Sequence, residues 1–417
     1  MLADFILHDA LEILTCRGPA PRRGAAQADA GAIQGASIAA RDGAIVFVGP
    51  APDCARLVEL VPGGVTVDAS GCTVVPGFVD AHTHAVFAGD RRGELRRRLA
   101  GATYAEIAAE GGGILSTVDA TRGATVEALV AASRPRLDEM LACGTTTCEV
   151  KSGYGLTVDA ELLMLRAIRA LDASHPVDLV PTFMGAHEIP REYRAGRDAY
   201  VRLVADVMIP AVARERLAEW CDVFCEAGVF TVDESRTILE AGRAHGLAPR
   251  IHADELASSG GAALAAALGA RSADHLVHVT RDDARAMAAA GTVATLMPTA
   301  AFYLKLGRFA PARMLVEEGV PVALGTDVNP GGGFSPSMPF AIALACFGMG
   351  LTLEEALVAA TINAAWSLDR ADRAGSLEPG KPLDAVVIQG GAVELIRVGV
   401  PAIRRVYKRG QRLEIGD

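Results

Sequence analysis

Eight times between residues 73 and 327 a short β-prone run gives way to an alanine- and leucine-rich stretch with helical spacing. The runs are TVVPGFVDAH from Thr73, TTTCEVKSG from Thr145, VDLVPTFMGAH from Val177, CDVFCE from Cys221, PRIHADE from Pro249, SADHLVHV from Ser272, TVATLMP from Thr292 and VPVALGTD from Val320. Helical patterning fills the gaps, as at 125–142, 159–173 and 281–290, and continues after the eighth run at 336–349 and 353–368. Strands that alternate with helices run parallel, because each crossover returns the chain to the same end of the sheet. Eight such units in roughly 300 residues fit a (β/α)8 barrel. An open doubly wound sheet would carry a glycine-rich phosphate turn after its first strand, and DAHTHAVFAGD at 80–90 is not one.

The two ends break this rhythm. Residues 1–73 and 373–417 hold short strand-like pieces separated by turns, such as GASIAARDGAIVFVG, LDAVVIQG and IRRVYKRGQRLEI. ARDGAI carries the Asp-Gly pair of a tight hairpin. The expectation is one small β domain assembled from 1–73 and 373–417, beside a barrel over 74–372.

Composition removes several classes of function. The net charge is −10, with no basic stripe for nucleic acid. The basic triplet Arg96, Arg97 and Arg98 follows Arg91 and Arg92, is balanced by Glu94, and reads as a solvated helix face. No apolar stretch reaches the length of about 20 residues that a membrane helix needs; the nearest, 340–353, contains two glycines. The N-terminus carries Asp4, His8 and Asp9 and no basic region, so it does not read as a secretory signal. The expected compartment is the cytoplasm. The eight cysteines form no CxxC pair and read as reduced, mostly buried small hydrophobes.

Barrel enzymes place their chemistry at the C-terminal ends of the strands. Of the nine histidines, His82 and His84 end the first run, His187 the third and His252 the fifth, and His275 lies in the sixth. Asp327 closes the eighth run. His8, His175, His245 and His278 lie elsewhere. Residues i and i+2 of a strand share a face, so His82 and His84 project together, as two imidazole ligands of a metal would. Singly, each has a plain alternative: polar residues at a strand exit, a hydrogen-bonded strand histidine, an aspartate turn before NPGGG. Together, His82, His84, His252 and Asp327 can converge on one ion. Such an ion lowers the pKa of its water from about 15.7 towards about 7 and yields a nucleophile at neutral pH.

This order of histidines and aspartate resembles the amidohydrolase superfamily. More narrowly, AGDR at 88–91, GGGI at 111–114, EVKSGYGL at 149–156, PTFMGAH at 181–187, HADE at 252–255, SADHL at 272–276 and TDVNPG at 326–331 look like the imidazolonepropionase family. The resemblance implies a distorted TIM-type (β/α)8 barrel with a small β-sandwich domain built from both termini, and a homodimer. It implies hydrolysis of 4-imidazolone-5-propanoate to N-formimidoyl-L-glutamate, in histidine degradation. It implies one Zn2+ or Fe3+ per subunit on His82, His84, His252 and Asp327. Arg91, Tyr154, His187 and Glu255 would hold the substrate, with Asn329 and Gly331 on the product. Asp327, His275 and Glu255 would carry the catalytic roles. Where the family often has a threonine or serine after NPG, this chain has Gly332, so that contact would be lost or taken over by backbone N–H groups.

The chemistry of these residue types agrees. Arg91 offers a fork suited to a carboxylate, though it could instead pair with Asp90 or Glu94. Tyr154 sits on a Gly-Tyr-Gly turn that could swing over a pocket, or could be a packed anchor. Two-metal members of the superfamily use a modified lysine after the fourth strand. Here that strand ends at Cys225 and Glu226, and Lys151 is on the second, which points to one metal and a supporting role for Lys151. The rivals are another single-metal amidohydrolase, such as a heterocycle deaminase, and a non-catalytic barrel turned assembly protein.

Overall fold

A computed structural model describes residues 1–102, 106–107 and 110–414. The chain begins with β1 (Leu2–Leu14), β2 (Ala32–Arg41), β3 (Ala44–Pro50), β4 (Glu59–Asp68) and β5 (Cys72–Pro76). It then lays down β6 (Phe78–Asp80), β7 (Thr145–Lys151), β8 (Asp178–Ala186), β9 (Trp220–Cys225), β10 (Ala248–Ala253), β11 (Ser272–His275), β12 (Val293–Leu296) and β13 (Val322–Leu324). It ends with β14 (Ala385–Gln389), β15 (Ile403–Lys408) and β16 (Gln411–Leu413).

Strands β6 to β13 pair in sequence order, all parallel, with helices between them. The ladder does not continue from β13 to β6. The seam is closed by single bonds, Ala81 N–H to Leu324 O at 3.3 Å and Asp327 N–H to His82 O at 2.9 Å, and by Asp80, whose Oδ1 accepts Thr326 N–H at 2.9 Å. The helix Ile362–Ser367 packs beneath the seam, and Val79 N–H reaches Ala360 O just before it. This is the distortion of the barrel. Its helices start with the expected chemistry: Thr231 and Thr352 form capping boxes with Glu234 and Glu355.

The terminal strands share one mixed sheet in the order β16-β15-β14-β5-β1-β2-β3, with β4 added to β1. The Asp42-Gly43 turn between β2 and β3 has φ of 51° and 77°, the left-handed pair that a two-residue hairpin loop needs. Phe5, Leu7, Ile13, Ile38, Ile45 and Tyr407 bury one face of the sheet.

The first β-prone run is two strands rather than one. β5 belongs to the terminal sheet and β6 to the barrel, and the break falls at Pro76-Gly77. A Cβ on Gly77 would lie 2.3 Å from Thr146 Oγ1, so only glycine lets the chain cross from one sheet to the other there. Among the described residues no helix is long and apolar enough to cross a membrane.

Candidate metal centre and active site

His82 and His84 lie beyond the end of β6, not within a strand as their spacing suggested. Their common direction survives because the segment stays laced on both sides. Thr83 Oγ1 donates to Glu149 O at 2.6 Å and Lys151 N–H to Thr83 O at 3.0 Å, while His84 N–H donates to Val328 O at 2.8 Å. Alternate residues are thus held as in a ladder, and the two rings lie 5.4 Å apart on one side. His252 is inside β10, His275 is the last residue of β11 and His187 follows β8. Asp327 comes three residues after β13 with φ of 53°.

The four expected ligands converge. His82 Nε2 and His84 Nε2 lie 3.6 and 3.8 Å from Asp327 Oδ1, and His84 Nε2 lies 3.3 Å from His252 Nε2. His82 also groups with His252 and His275 within ligand reach of one ion. All are buried, and His82 Nε2 and Asp327 Oδ1 have no hydrogen-bond partner among the described residues. Buried polar atoms are rarely left unpaired. A cation between them would satisfy both, so the donor set fits a metal. Electrostatics agree with this. Burial holds His82, His84 and His275 well below the usual histidine range, which keeps the rings neutral, the ligand form. Burial also pushes the Asp327 carboxyl up to about 7, so a nearby positive charge would stabilise its charged form.

One cavity of about 130 Å3 opens onto this cluster. Its lining includes Arg91, Tyr154, His187, Glu255, His275, Asn329, Gly331 and Gly332 together with His84, His252 and Asp327. Every expected substrate residue therefore faces one space with the ligand cluster. The Glu255 carboxylate lies 3.4 Å from His275 Nδ1. Burial, then Asp327 and Glu226, push Glu255 well above the usual carboxylate range. Arg91 meets Glu94 through a two-pronged pair, Nε at 2.9 Å and Nη2 at 2.8 Å, and still lines the cavity. A Cβ on Gly331 would lie 2.4 Å from Arg91 Cζ, so glycine is what lets the loop pack against the guanidinium.

Three expectations change in detail. Arg98 is not on a solvated face. It is 4% exposed and donates from Nη2 to Gly331 O, joining the helix Arg92–Leu99 to the glycine loop. The Gly-Tyr-Gly turn is clamped rather than free to swing, because Glu161 accepts N–H bonds from Gly153, Gly155 and Leu156 at 3.0, 2.8 and 2.8 Å. The N–H groups of Gly331 and Gly332 already donate to Asn329 Oδ1, so neither stands ready to replace a missing hydroxyl.

Comparison with known proteins places the chain. A model of the amidohydrolase family matches residues 73–412. The imidazolonepropionase of Symbiobacterium thermophilum is 51% identical over 98% of this chain and 96% of its own length. That of Alkaliphilus metalliredigens is 45% identical over 99% and 98%. The chain belongs to the imidazolonepropionase family of amidohydrolases. Solved structures share its fold at low identity. A zinc-bound adenosine deaminase from Xanthomonas campestris has a TM-score of 0.71 at 19% identity, covering 99% of this chain and 93% of that one. A triazine hydrolase variant has a TM-score of 0.73 at 18% identity, covering 98% and 94%.

In this amidohydrolase the candidate ligand cluster stands on a layer of buried charge, of which the sequence had marked only Lys151, for a supporting role. His82 Nδ1 lies 2.6 Å from Asp274 Oδ2, and His252 Nδ1 lies 3.1 Å from Asp222 Oδ1. Lys151 Nζ lies 2.6 Å from Glu149 and 2.7 Å from Asp222, and Arg250 Nη2 lies 3.6 Å from Asp274. All five of these charged side chains are 0% exposed. Burial pulls the Lys151 pKa down, but Asp222, Glu149 and Asp274 outweigh it and leave it raised. A usable signal was present: five charged residues sit inside apolar strand runs, where a charge survives only when paired. Glu226 was also passed over. Its Oε2 accepts the N–H groups of Glu255 and Leu256 at 2.9 and 2.8 Å and so sets the loop that presents Glu255.

Proposed function

We propose that this amidohydrolase opens the imidazolone ring of 4-imidazolone-5-propanoate with water, giving N-formimidoyl-L-glutamate. The observation that carries the reading is one cavity that joins the histidine–aspartate cluster to a buried arginine, Arg91, on its wall. The high identity to imidazolonepropionases over nearly the whole chain supports the same substrate.

His82, His84, His252 and Asp327 would hold one ion, Zn2+ or Fe3+, since nitrogen and oxygen donors accept both. When bound, the ion acidifies a water and polarises the ring carbonyl. The chain's residues do the rest. Arg91 takes the propionate carboxylate, and Tyr154 and His187 flank the ring. Glu255 holds a ring N–H. Water adds to the lactam carbonyl carbon, the carbon–nitrogen bond breaks, and Asp327 passes a water proton to the departing nitrogen. His275 stabilises the oxygen that gains charge on the way. Asn329 and Gly331 would contact the product, and Gly332 leaves that wall without a hydroxyl. The small β domain is assigned to 1–73 and 373–417 and the barrel to 74–372, with the first boundary moved to Pro76 so that β5 stays whole in the terminal sheet. A homodimer in the cytoplasm is the expected state, with exposed Phe347 and Val398 available for an interface.

The test is direct. Purified protein given freshly generated imidazolone propionate should consume it and yield formimidoyl-glutamate. Ammonia release without that product would favour a deaminase, and no turnover by the metal-loaded protein would overturn the reading.

A further inference from the structure

The geometry points to Lys151 as a positioning residue for two ligand histidines at once: its ammonium fixes Asp222 and Asp274 so that both receive a ring Nδ1–H and both Nε2 atoms stay free for the ion. The inference rests on the metal reading above.

Lys151 Nζ lies 2.7 Å from Asp222 Oδ2 and 3.6 Å from Asp274 Oδ2. The far oxygen of Asp222 faces His252, taking its backbone N–H at 3.2 Å and lying 3.1 Å from its Nδ1. Asp274 Oδ2 lies 2.6 Å from His82 Nδ1, and Ser272 Oγ donates to Asp274 Oδ1 at 2.6 Å. An ammonium has donors only. The oxygens that face it must accept, so Asp222 cannot turn a hydroxyl towards Lys151, and Asp274 Oδ2 is shared between Lys151 and His82. Each carboxylate is then left to accept from its histidine, whose proton sits on Nδ1. A neutral imidazole with its proton there carries its lone pair on Nε2. Those are the atoms that meet at the cluster, His82 Nε2 at 3.6 Å from Asp327 and His252 Nε2 at 3.3 Å from His84 Nε2.

Lys151 pairs with both Asp222 and Asp274, whereas Arg250, the other cation of the buried layer, lies at the same 3.6 Å from Asp274 Oδ2 and helps to hold that carboxylate alone. The nearest hydrogen bonds of Arg250 go to the backbone, Nη1 to Ser367 O at 2.8 Å and Nη2 to Ala81 O at 3.1 Å. Lys151 spends its donors on carboxylates. It also reaches between strands, from the end of β7 to Asp222 on β9 and Asp274 on β11, so one side chain orients the supports of ligands from two parts of the chain.

The test compares wild type with Lys151→Met and with Lys151→Met/Glu149→Gln. The double variant removes one positive and one negative charge, so the net charge of the buried layer is unchanged and the fold is protected. Two quantities are read on chelator-stripped protein: zinc affinity, by competition with a chromophoric chelator, and the tautomers of His82 and His252, by nitrogen-15 histidine spectra. Partners behind metal ligands are worth about 10- to 100-fold in affinity, and a loss of that size is expected in both variants. Both histidines should show the Nδ1–H form in wild type and a mixture of tautomers in the variants. A folded double variant with wild-type zinc affinity and both histidines still in the Nδ1–H form would overturn the role of Lys151. A wild type that takes up no zinc or iron would instead overturn the metal reading, and the tautomer spectra would still judge Lys151.

Discussion

Replacing Arg91 with alanine removes the one guanidinium that lines the cavity wall, and the structure allows its effect to be divided in two. The first part is recognition. A charge-assisted bond to a carboxylate is worth about 1.5–3 kcal/mol, and at about 1.4 kcal/mol per tenfold kcat/KM for imidazolone propionate should fall by roughly 10- to 150-fold. Arg91→Lys should recover only part of this, since an ammonium cannot form the fork. An imidazolone without the propionate should lose almost nothing. The second part is stability. Glu94 is 12% exposed and takes both prongs of Arg91. Without them its carboxylate keeps the N–H of Gly113 at 2.8 Å. Losing the charged partner of this half-buried carboxylate, which keeps one hydrogen bond, should cost about 1 kcal/mol, the lower end of the range for an unsatisfied buried group, which chemical melts would show. Adding Glu94→Gln to Arg91→Ala should restore much of that stability and none of the lost kcat/KM. Steady-state kinetics of the single and double variants on both imidazolones decide the matter. Equal losses on the two substrates, or recovery of kcat/KM with Glu94→Gln, would show that Arg91 supports the loop and does not read the carboxylate.

Further outcomes follow from the same geometry. His252→Ala or Asp327→Ala should leave the fold intact by circular dichroism, because both side chains lie at the barrel mouth, but should strip the metal and abolish turnover; full activity after chelation and dialysis would refute the ligand set. His275→Asn should bind metal normally and lose about 10²–10⁴ in kcat, whereas metal lost in proportion to rate would make His275 a ligand. For Glu94, burial raises the pKa, but the bond and charge of Arg91 outweigh it and leave it below the ordinary 4.5. A depressed carboxylate adds stability above its unfolded value and loses it as pH falls through the folded one. Melts below pH 4.5 should therefore cost the wild type more stability than Glu94→Gln.

The barrel was legible because its signal is periodic and repeated: eight apolar runs, each cut off by a helix, leave few ways to bury them. The candidate ligand cluster was legible because His82, His84, His252 and Asp327 fall at run ends, which the fold brings together. What was missed has a common cause. Arg98 looks like its neighbours Arg96 and Arg97 in the sequence, and only the fold shows that it turns inward to Gly331 O. Pro76-Gly77 sits inside an unbroken β-prone run, and its role depends on Thr146, about 70 residues away in the chain, pressing against the backbone. The clamp of Glu161 on the Tyr154 turn could have been suspected from a glutamate in an otherwise apolar helix face, since the helix Val158–Asp172 buries it with its leucines.

The crossing at Gly77 bears on how this enzyme can be cut or rebuilt. Four residues separate Gly77 from His82, and β5 just before it is flanked by β14 from the far end of the chain and by β1. The strand that delivers the first two histidines of the candidate metal cluster is therefore anchored by segments from both extremities. A deletion that removed 373–417 as a spare appendage would strip β5 of its five-residue pairing with β14 and loosen the thread leading to His82. The barrel of this chain is not a module to be lifted out. Transplanting its active site onto another scaffold would have to carry the terminal sheet along, and swapping the sheet between relatives would have to preserve the Pro-Gly step.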